Sequence, residues 1–430
     1  MNHLMNYGRT GLNLVTPDHW NVTVIRKKPM PVIKNPKPEI VQALNHPVGS
    51  KTLAKEARGI SSACILICDV TRPVPNGLIL APVVKELLEA GLKLEQITIL
   101  VATGLHRPNE GPELLDVVGD EWVFKTVRIE NHFARNDEDH VDLGFTSRGT
   151  PIKLDRRFVE AELRLAIGLV EPHFMAGYSG GRKVIVPGVA HHDTITRLHT
   201  ATFLESPYAA NCVLDSNPLH EEQLEIVKLI GGSLAVNVII DEMRQPCFVN
   251  FGEIVSSHKA AVNFMSQFAV INLPRRFSTV ITSSAGYPLD KTYYQTVKGM
   301  VGAMDILEPG GGLFIVSECS EGMGSAEYVR SQKRLCDLGS DQFLAELHLK
   351  SQAAIDEWQT EMQLKPMRVG NISMYSQGLS KKELNLTGVE TFLDWDLFYE
   401  AIRQSVERYK DKSVAIIPEG PYVAPFFMKN

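Results

Sequence analysis

The sequence lacks the features that would place this chain in a membrane, in an oxidising compartment or on nucleic acid. Its first residues contain no continuous apolar run of signal-peptide length, and no later stretch reaches about 18 uninterrupted apolar residues. The six cysteines include no C-x-x-C pair. Basic residues are dispersed in a chain of net charge −6, without the positive stripe of a nucleic-acid binder. We therefore expect a cytoplasmic protein with reduced cysteines and neither a membrane nor a nucleic-acid partner.

Short runs of β-branched and aliphatic residues recur along a chain of 430 residues that is 44% hydrophobic and 22% charged. That length corresponds to about two to three domains. Amphipathic helical patterns, such as those at 81–92 and from about 291 to 307, separate many of the runs. This alternation predicts an α/β fold with largely parallel sheets. The predicted strands are ACILICDV (63–70), QITILVATG (96–104), ELRLAIGLV (162–170), LAVNVIID (234–241), FSTVITSS (277–284), GGLFIVSE (311–318) and SVAIIPE (413–419).

A composition break at INLPRRFST (271–279) divides the chain into two predicted α/β domains. The first covers residues 1–275 and the second residues 276–430, although the last strand, 413–419, could return to the first domain. The proline-rich first 60 residues show little periodicity and are expected to wrap the first domain. We expect the active site in the crevice between the two domains.

Polar clusters follow three of the predicted strands. They are DVTRPVP (69–75), TGLHRP (103–108) and EPHFMAGYSGGRK (171–183). In open α/β sheets ligands bind beyond the carboxyl ends of the strands, so the three clusters should face one crevice. The clusters contain His106 and His173.

His106 and His173 are the expected proton carriers, because imidazole can hold or release a proton near neutral pH. A lone histidine after a strand more often caps a turn. A functional site is indicated instead here, because two histidines, an arginine and an aspartate stand at three successive strand ends. Inversion of a stereocentre needs an acid/base group on each side of the reacting carbon, and this pair could supply both.

The segment GYSGGRK (177–183) leaves two interpretations open. Glycine lets backbone N–H groups approach an anion closely, so Ser179, Gly180 and Gly181 could cradle a phosphate. The alternative is a tight turn followed by a solvated Arg–Lys pair. The segment is not a Walker A motif, because both the spacing and the magnesium-binding hydroxyl differ. Lys183 is flanked by apolar residues, the setting in which a lysine amine can become a covalent attachment point.

Three downstream histidines, His191, His192 and His199, suggest a metal site, because neutral imidazole is a common metal ligand. Their spacing fits no zinc motif, and no cysteine or carboxylate completes a recognisable set. A metal bound here would take most of its ligands from something other than protein side chains.

The segment GYPLDKTYYQTVKGM (286–300) predicts a helix preceded by a turn, with Asp290 as its N-cap. Tyr294, Gln295 and Lys298 are spaced to share one helical face. That face could clamp a carboxylate. The alternative is an ordinary solvated helix surface.

Together these motifs resemble the lactate racemase family, whose members use a nickel-pincer nucleotide cofactor. The similarity runs from NYGR near the start to QGLS (377–380). The specific parts are DVTRPVP, GLHRP, EPHFMAGYSGGRK with a histidine sixteen positions after its lysine, and PLDKTYYQTVKGM.

The resemblance implies a covalently attached cofactor. In the family this is pyridinium-3-thioamide-5-thiocarboxylic acid mononucleotide, joined to a lysine that corresponds to Lys183. Two sulfurs and a ring carbon of the cofactor hold nickel, and His199 corresponds to the one protein ligand. Asp69 matches a cofactor-contacting position, and the residues of the Gly-rich turn are assigned to cofactor binding with it. Proteins that synthesise the cofactor are then transient partners.

The resemblance also implies a racemase or epimerase that inverts C2 of a 2-hydroxy acid. The family's acid/base pair maps onto His106 and His173. One histidine takes the hydroxyl proton as hydride passes to the cofactor, the resulting 2-keto acid turns, and hydride returns to its other face. The first domain would carry this chemistry, and the second would contribute to substrate binding. The expected substrate-binding residues are Arg72, Tyr294, Gln295, Lys298 and Trp358.

The resemblance leaves the substrate open. Val70 stands where some lactate-using members have histidine, and lactate, malate, aromatic hydroxy acids and sugar acids all satisfy the expected clamp. Two other classes of function also remain open from the residues alone. One is a non-catalytic protein that carries the nickel nucleotide, and the other is a metal-assisted hydrolase built on the three downstream histidines.

Overall fold

The computed structural model describes residues 1–409 and 412–428. Its strands, numbered in chain order, are β1 (Asn2–Met5), β2 (Leu12–Val15), β3 (Asn21–Val24), β4 (Ala63–Cys68), β5 (Ile97–Ala102), β6 (Arg128–Asn131), β7 (His140–Phe145), β8 (Pro151–Asp155), β9 (Leu163–Leu169), β10 (Pro172–His173), β11 (Gly177–Tyr178), β12 (Leu234–Ile240), β13 (Pro246–Glu253), β14 (Val270–Leu273), β15 (Phe277–Ser283), β16 (Leu307–Val316), β17 (Asn371–Tyr375), β18 (Glu390–Phe392), β19 (Ser413–Ile417) and β20 (Ala424–Phe427).

The α-helices of the described residues are α1 (Pro36–Asn45), α2 (Leu53–Glu56), α3 (Asn76–Glu89), α4 (Gly111–Val118), α5 (Glu121–Thr126), α6 (Arg156–Val159), α7 (Arg182–Ile185), α8 (His192–Leu198), α9 (Ala201–Leu204), α10 (Pro218–Leu229), α11 (Ile254–Ala269), α12 (Tyr293–Ala303), α13 (Ala326–Leu338), α14 (Ser340–His348), α15 (Glu357–Val369), α16 (Lys381–Leu384) and α17 (Trp395–Glu407). In this part of the chain no helix is both long and apolar enough to span a membrane.

The first of two compact units, here called the central unit, contains residues Pro29–Leu198 and Tyr208–Gln267. Its sheet has the order β13-β12-β9-β4-β5-β6. All neighbouring strands are parallel except β12 and β13 at one edge, which are antiparallel. The first five residues of β4 are fully buried, because helices cover both faces of a parallel sheet and leave no position for polar side chains.

The second unit, here called the carboxyl unit, contains residues Met1–Lys28, His199–Pro207 and Phe268–Asn430. Its sheet has the order β18-β17-β16-β15-β19-β3, and every pair in it is parallel. The seven residues of β15 are all buried, and β19 is buried along its whole length. β15 is one of the two central strands and β19 lies beside it, with apolar side chains packed on both faces of the sheet.

The structure confirms the predicted α/β class with largely parallel sheets. Each predicted strand is present, with ends that differ by a few residues from the predicted ones. Strands shorter than five residues, such as β3 and β6, were not predicted, because so few residues carry little pattern of their own. The longer strands β7, β8, β13 and β17 were also not predicted.

Two segments group differently from the division expected from sequence. Residues 1–28 cluster with the carboxyl unit rather than wrapping the central one, because β3 pairs in parallel with β19 and extends that sheet. Residues 199–207 also belong there, where Ala201 packs against Leu335 and Phe343. β19 itself pairs with β15, so the last predicted strand lies in the carboxyl unit.

A buried carboxyl group lies on α15 of the carboxyl unit. Glu361 is 1% exposed, and its Oε1 atom has no hydrogen-bond partner among the described residues. Burial, reinforced by the negative charge of Glu205, raises the pKa of Glu361 to about 8, although Lys365 opposes the shift. Glu205 itself is paired with Arg368 at 2.6 Å. Glu361 is therefore protonated at neutral pH in the folded chain.

We predict that Glu361→Gln stabilises the protein in a pH-dependent way. Folding raises the pKa of this carboxyl group, so the unfolded chain loses the proton at a lower pH than the folded chain does. The free energy of unfolding therefore falls as the pH rises from about 4.5 to the folded pKa. Thermal unfolding should show the variant above the parent at about pH 8, with the difference shrinking towards about pH 5. Glu205→Gln, which breaks the pair with Arg368, is the matched control and should destabilise. A difference that does not change with pH would contradict this account.

Candidate active site

The strand order of the central unit reverses between β4 and β9. From β4 the chain continues outward through β5 to β6, and it later returns to the other side of β4 with β9 and then β12. The loops that leave two such strands run in opposite directions, so a crevice opens beyond the carboxyl ends of the strands, where ligands bind in α/β proteins. The polar clusters predicted from sequence begin within two residues of the ends of β4, β5 and β9.

Arg72 and Glu171 lie on the two sides of this reversal. Arg72 Nε is 3.8 Å from Glu171 Oε1, and both side chains are partly buried. An arginine presents several donors in a plane and suits the recognition of a carboxylate. Glu171 was not singled out from sequence, and its carboxylate partly balances the charge of Arg72.

His106, after β5, is tied to Asp69, after β4. His106 Nδ1 lies 2.6 Å from Asp69 Oδ2, and Thr71 donates to Asp69 Oδ1 through its hydroxyl at 2.6 Å and its backbone N–H at 3.2 Å. Burial by itself raises the pKa of Asp69, but the contacts with His106 and Thr71 and the charge of Arg72 lower it overall. Asp69 is therefore a buried, ionised acceptor, while 61% of the His106 side chain is exposed.

His173 lies in a short hairpin after β9, where β10 pairs with β11. Its ring nitrogen Nδ1 accepts hydrogen bonds from the backbone N–H groups of Met175 at 3.3 Å and Ala176 at 3.2 Å. The ring of Phe174 lies 5.2 Å away, centroid to centroid. The side chain is thus held by its own turn, on the β9 side of the reversal.

The Gly-rich turn of residues 177–181 is packed against the end of β9. The Ser179 hydroxyl donates to Leu169 O at 2.7 Å. Gly180 and Gly181 have positive φ angles of 75° and 49°. A Cβ atom at Gly181 would lie 2.9 Å from the ring of His258, so glycine is required there on two grounds. Lys183 follows the turn in α7 and is partly buried.

Arg182 holds the Gly-rich turn from inside. Its side chain is 1% exposed, and its guanidinium donates to Ala176 O at 2.8 Å and Tyr178 O at 2.9 Å. Burial lowers the pKa of Arg182 to about 9. The expected alternative of a solvated Arg–Lys pair is therefore wrong for Arg182, because backbone carbonyls of the turn take the place of water around it.

The carboxyl unit brings together three of the predicted residues. The rings of His199 and Trp358 lie 4.5 Å apart, and Trp358 Nε1 donates to the Tyr294 hydroxyl at 3.2 Å. Gln359 Nε2 donates to Tyr294 O at 2.6 Å. Trp358 is buried, whereas His199 and Tyr294 are partly exposed. Gln359 was missed from sequence because nothing in its local pattern shows that α15 packs on α12.

Gln295 and Lys298 lie on α12 with Tyr294, as their spacing predicted. Gln295 Oε1 is buried and has no hydrogen-bond partner among the described residues. Asp290 is not the N-cap of this helix, because Thr292 occupies that position. The Asp290 carboxylate instead accepts from the backbone N–H of Gly8 at 2.6 Å, which anchors the NYGR segment.

His191 and His192 lie in the central unit, where they form with Asp193 a group that could hold a metal ion. His191 Nε2 is 2.8 Å from Asp137 Oδ1. The Asp193 carboxylate is already paired with Lys153 at 2.7 Å, and that ammonium opposes a second cation. The group is better explained as a polar network that joins α8 to β8.

The fold and these side chains define a two-unit α/β protein with a polar site at the strand reversal of its central sheet. Residues 7–211 match the family described as Lactate racemase N-terminal domain, and residues 275–424 match Lactate racemase C-terminal domain. The chain belongs to the lactate racemase family.

Two curated relatives support this membership. The chain is 33% identical over 326 residues to the lactate racemase of Thermoanaerobacterium thermosaccharolyticum, a match that covers 75% of this chain and 76% of that protein. It is 32% identical over 286 residues to the lactate racemase of Lactiplantibacillus plantarum, with 66% of each chain covered.

Two solved structures are similar to this chain. The apoprotein structure of the Thermoanaerobacterium thermosaccharolyticum lactate racemase matches with a TM-score of 0.90 at 28% identity, covering 99% of this chain and 100% of that one. A Thermotoga maritima protein matches with a TM-score of 0.67 at 18% identity, covering 91% and 98%, and shows likeness of fold alone.

We predict that Arg182→Met destabilises the Gly-rich turn. The substitution keeps an apolar stem but removes the Arg182 donor from Tyr178 O, at a cost of about 1–3 kcal/mol for an unsatisfied buried acceptor. Ala176 O loses one of its two donors, because the backbone N–H of Tyr178 still donates to it. Thermal unfolding should show a clear loss of stability, and hydrogen exchange should increase around residues 176–181. Arg58→Met, at an exposed arginine of the same unit, is the control and should change stability little. Equal effects of the two substitutions would contradict the role of Arg182.

Proposed function

We propose that this protein is a racemase or epimerase that inverts the hydroxyl-bearing C2 carbon of a 2-hydroxy acid. The proposal is carried by the positions of Arg72, His106 and His173. They follow β4, β5 and β9, which are neighbouring strands around the reversal in the central sheet. Arginine suits a carboxylate and histidine suits a hydroxyl proton, the two polar groups of such a substrate. Membership of the lactate racemase family supports the same reaction. Lactate is the first substrate to test.

The substrate carboxylate is assigned to Arg72 and Lys298. Arg72 Nε lies 3.8 Å from Glu171 Oε1 at the strand reversal, so the arginine brings a positive charge to the proposed site. Lys298 adds a point charge on α12. On the same helix, the unpaired Gln295 Oε1 suits a hydroxyl donor, because a buried acceptor gains stability when it is given a hydrogen bond. We assign Tyr294 and Trp358 to the wall of the substrate pocket.

Features of this chain fit the nickel-pincer nucleotide. Lys183 follows a Gly-rich turn that is held against the end of β9 and by Arg182, so the proposed attachment point has a fixed backbone. Imidazole suits nickel, and His199 is partly exposed beside Trp358. Among the described residues, the group that could hold a metal ion is His191, His192 and Asp193, and His199 is not part of it. Nickel bound by His199 would therefore take its other ligands from a bound molecule. We assign Asp69, Ser179, Gly180 and Gly181 to the same cofactor region.

When bound, the nickel-pincer nucleotide would supply a hydride acceptor next to C2. The protein's own groups then handle the proton and the charges. An imidazole takes the hydroxyl proton as the carbonyl forms, and the arginine and lysine hold the carboxylate while the planar keto acid turns. The second imidazole serves the other face. Proteins that synthesise the cofactor are proposed as transient partners.

The proposed activity is tested by adding each enantiomer of lactate, then of malate and other 2-hydroxy acids, to enzyme produced with cofactor-synthesis proteins. We expect either enantiomer to be converted to the racemate. His106→Gln and His173→Gln should each slow interconversion by about 10²–10⁴-fold, the usual effect of losing a positioned acid or base. If the loaded enzyme inverts none of these acids, the protein is a non-catalytic carrier of the cofactor. If the single histidine variants interconvert the enantiomers at a rate within a few fold of the parent, the histidines are not the acid/base groups.

The cofactor assignment predicts a separation between covalent attachment and nickel binding. Intact mass should show an adduct in the parent and none in Lys183→Ala. His199→Ala should keep the adduct and lose nickel, measured by elemental analysis. Lys153→Ala and His192→Ala are matched controls from the Asp193 network and should retain both. An adduct that persists in Lys183→Ala would contradict the assignment of Lys183. Loss of nickel in His192→Ala, with nickel retained in His199→Ala, would contradict the assignment of His199.

A further inference from the structure

The contact with Asp69 decides which ring nitrogen of His106 carries hydrogen. Asp69 is 5% exposed and its pKa is lowered, so its carboxylate is ionised and can only accept hydrogen bonds. His106 Nδ1 lies 2.6 Å from this carboxylate and must be the protonated nitrogen of the neutral ring. The other nitrogen, Nε2, then has an available lone pair. It belongs to a side chain that is 61% exposed and can meet a substrate.

The contacts of His173 impose the opposite arrangement. Its Nδ1 accepts from two backbone N–H groups, of Met175 at 3.3 Å and Ala176 at 3.2 Å. Backbone N–H groups only donate, so Nδ1 must be the unprotonated nitrogen of this ring. In the neutral ring Nε2 therefore carries the hydrogen, and it can donate a hydrogen bond to a substrate oxygen.

We propose that these fixed contacts hold His106 and His173 in opposite tautomers, and that Asp69 is the positioning residue that makes His106 Nε2 the resting base of the enzyme. The inference rests on the proposed racemase function for its catalytic part only. The tautomers themselves follow from hydrogen bonds within the central unit.

The proton step follows from this arrangement. The lone pair of His106 Nε2 takes the substrate's hydroxyl proton, and the electron pair of the broken O–H bond stays on oxygen to form the carbonyl. The bound cofactor would supply the acceptor for the hydride of C2. The ring becomes an imidazolium whose Nδ1–H still faces Asp69, which stabilises the new charge. His173 can act as a base through Nε2 only after its ring leaves the two N–H groups of its turn.

Asparagine at position 69 should reverse the tautomer of His106. Thr71 donates to Asp69 Oδ1 through both its hydroxyl and its backbone N–H, so the carbonyl oxygen of an asparagine is required at that position. The amide nitrogen then faces His106 Nδ1 and donates to it. His106 must move its hydrogen to Nε2 and loses the lone pair that the substrate needs. The substitution changes the volume of the side chain very little.

The experiment compares parent, Asp69→Asn and Thr71→Val by ¹⁵N NMR of histidine-labelled apoprotein and by racemisation kinetics of loaded enzyme. The parent should show hydrogen on Nδ1 of His106 and on Nε2 of His173. Asp69→Asn should shift His106 alone to the Nε2–H form and lower kcat by about 10²–10⁴-fold with KM changed little. Thr71→Val, which leaves the carboxylate in place, should keep the parent tautomers and most of the activity. The His106 signal is assigned from its absence in His106→Gln.

Three results would overturn the proposal. They are hydrogen on Nε2 of His106 in the parent, a parent-like tautomer in Asp69→Asn, or racemisation by Asp69→Asn within a few fold of the parent. Intact mass separates the two effects that Asp69 could have, because Asp69→Asn should retain the full adduct on Lys183. Loss of the adduct would show that Asp69 acts through the cofactor and not by positioning His106. If the loaded parent racemises none of the acids, the proposed function is wrong. The NMR spectra would still show which tautomers the two histidines adopt.

Discussion

The parallel pairing of β4 with β9 is the constraint on which the candidate site depends. These strands are about a hundred residues apart in sequence, and backbone hydrogen bonds join Ala63–Leu66 to Leu163–Ala166 in register. That register places residues 69–72 and 171–173 beyond the same edge of the sheet. Arg72 and Glu171 then approach to 3.8 Å without any local sequence signal that would join them. The apolar run of β4 is therefore part of the site, although none of its side chains takes part in the chemistry.

Buried polar contacts then fix the groups that this edge presents. Asp69 orients His106, the turn after β10 orients His173, and Arg182 holds the Gly-rich turn by its carbonyl oxygens. Each of these contacts removes a buried group from water and is stable only when its partner is present. These contacts hold the proposed site residues in defined positions, and they include a buried arginine whose pKa is lowered.

The carboxyl unit uses aromatic packing for the same purpose. His199 lies against Trp358, and Trp358 is held by the hydroxyl of Tyr294, so helices α12 and α15 position a ring that comes from the distant segment 199–207. The buried Glu361 lies one turn along α15 from Trp358. Since burial keeps that carboxyl protonated at neutral pH, the helix carries no unpaired charge there.

The sequence by itself determined the strands, the α/β class and most of the candidate residues, because buried strands need continuous apolar runs and polar clusters stand where those runs end. Only the tertiary structure decided that residues 1–28 extend the sheet of the carboxyl unit, that Asp290 anchors Gly8, and that Arg182 is buried. It also decided the partners of the two histidines. The physical reason is that strand pairing and side-chain hydrogen bonds join residues far apart in the chain, and a local pattern of hydrophobicity carries no record of which distant donor will meet which acceptor.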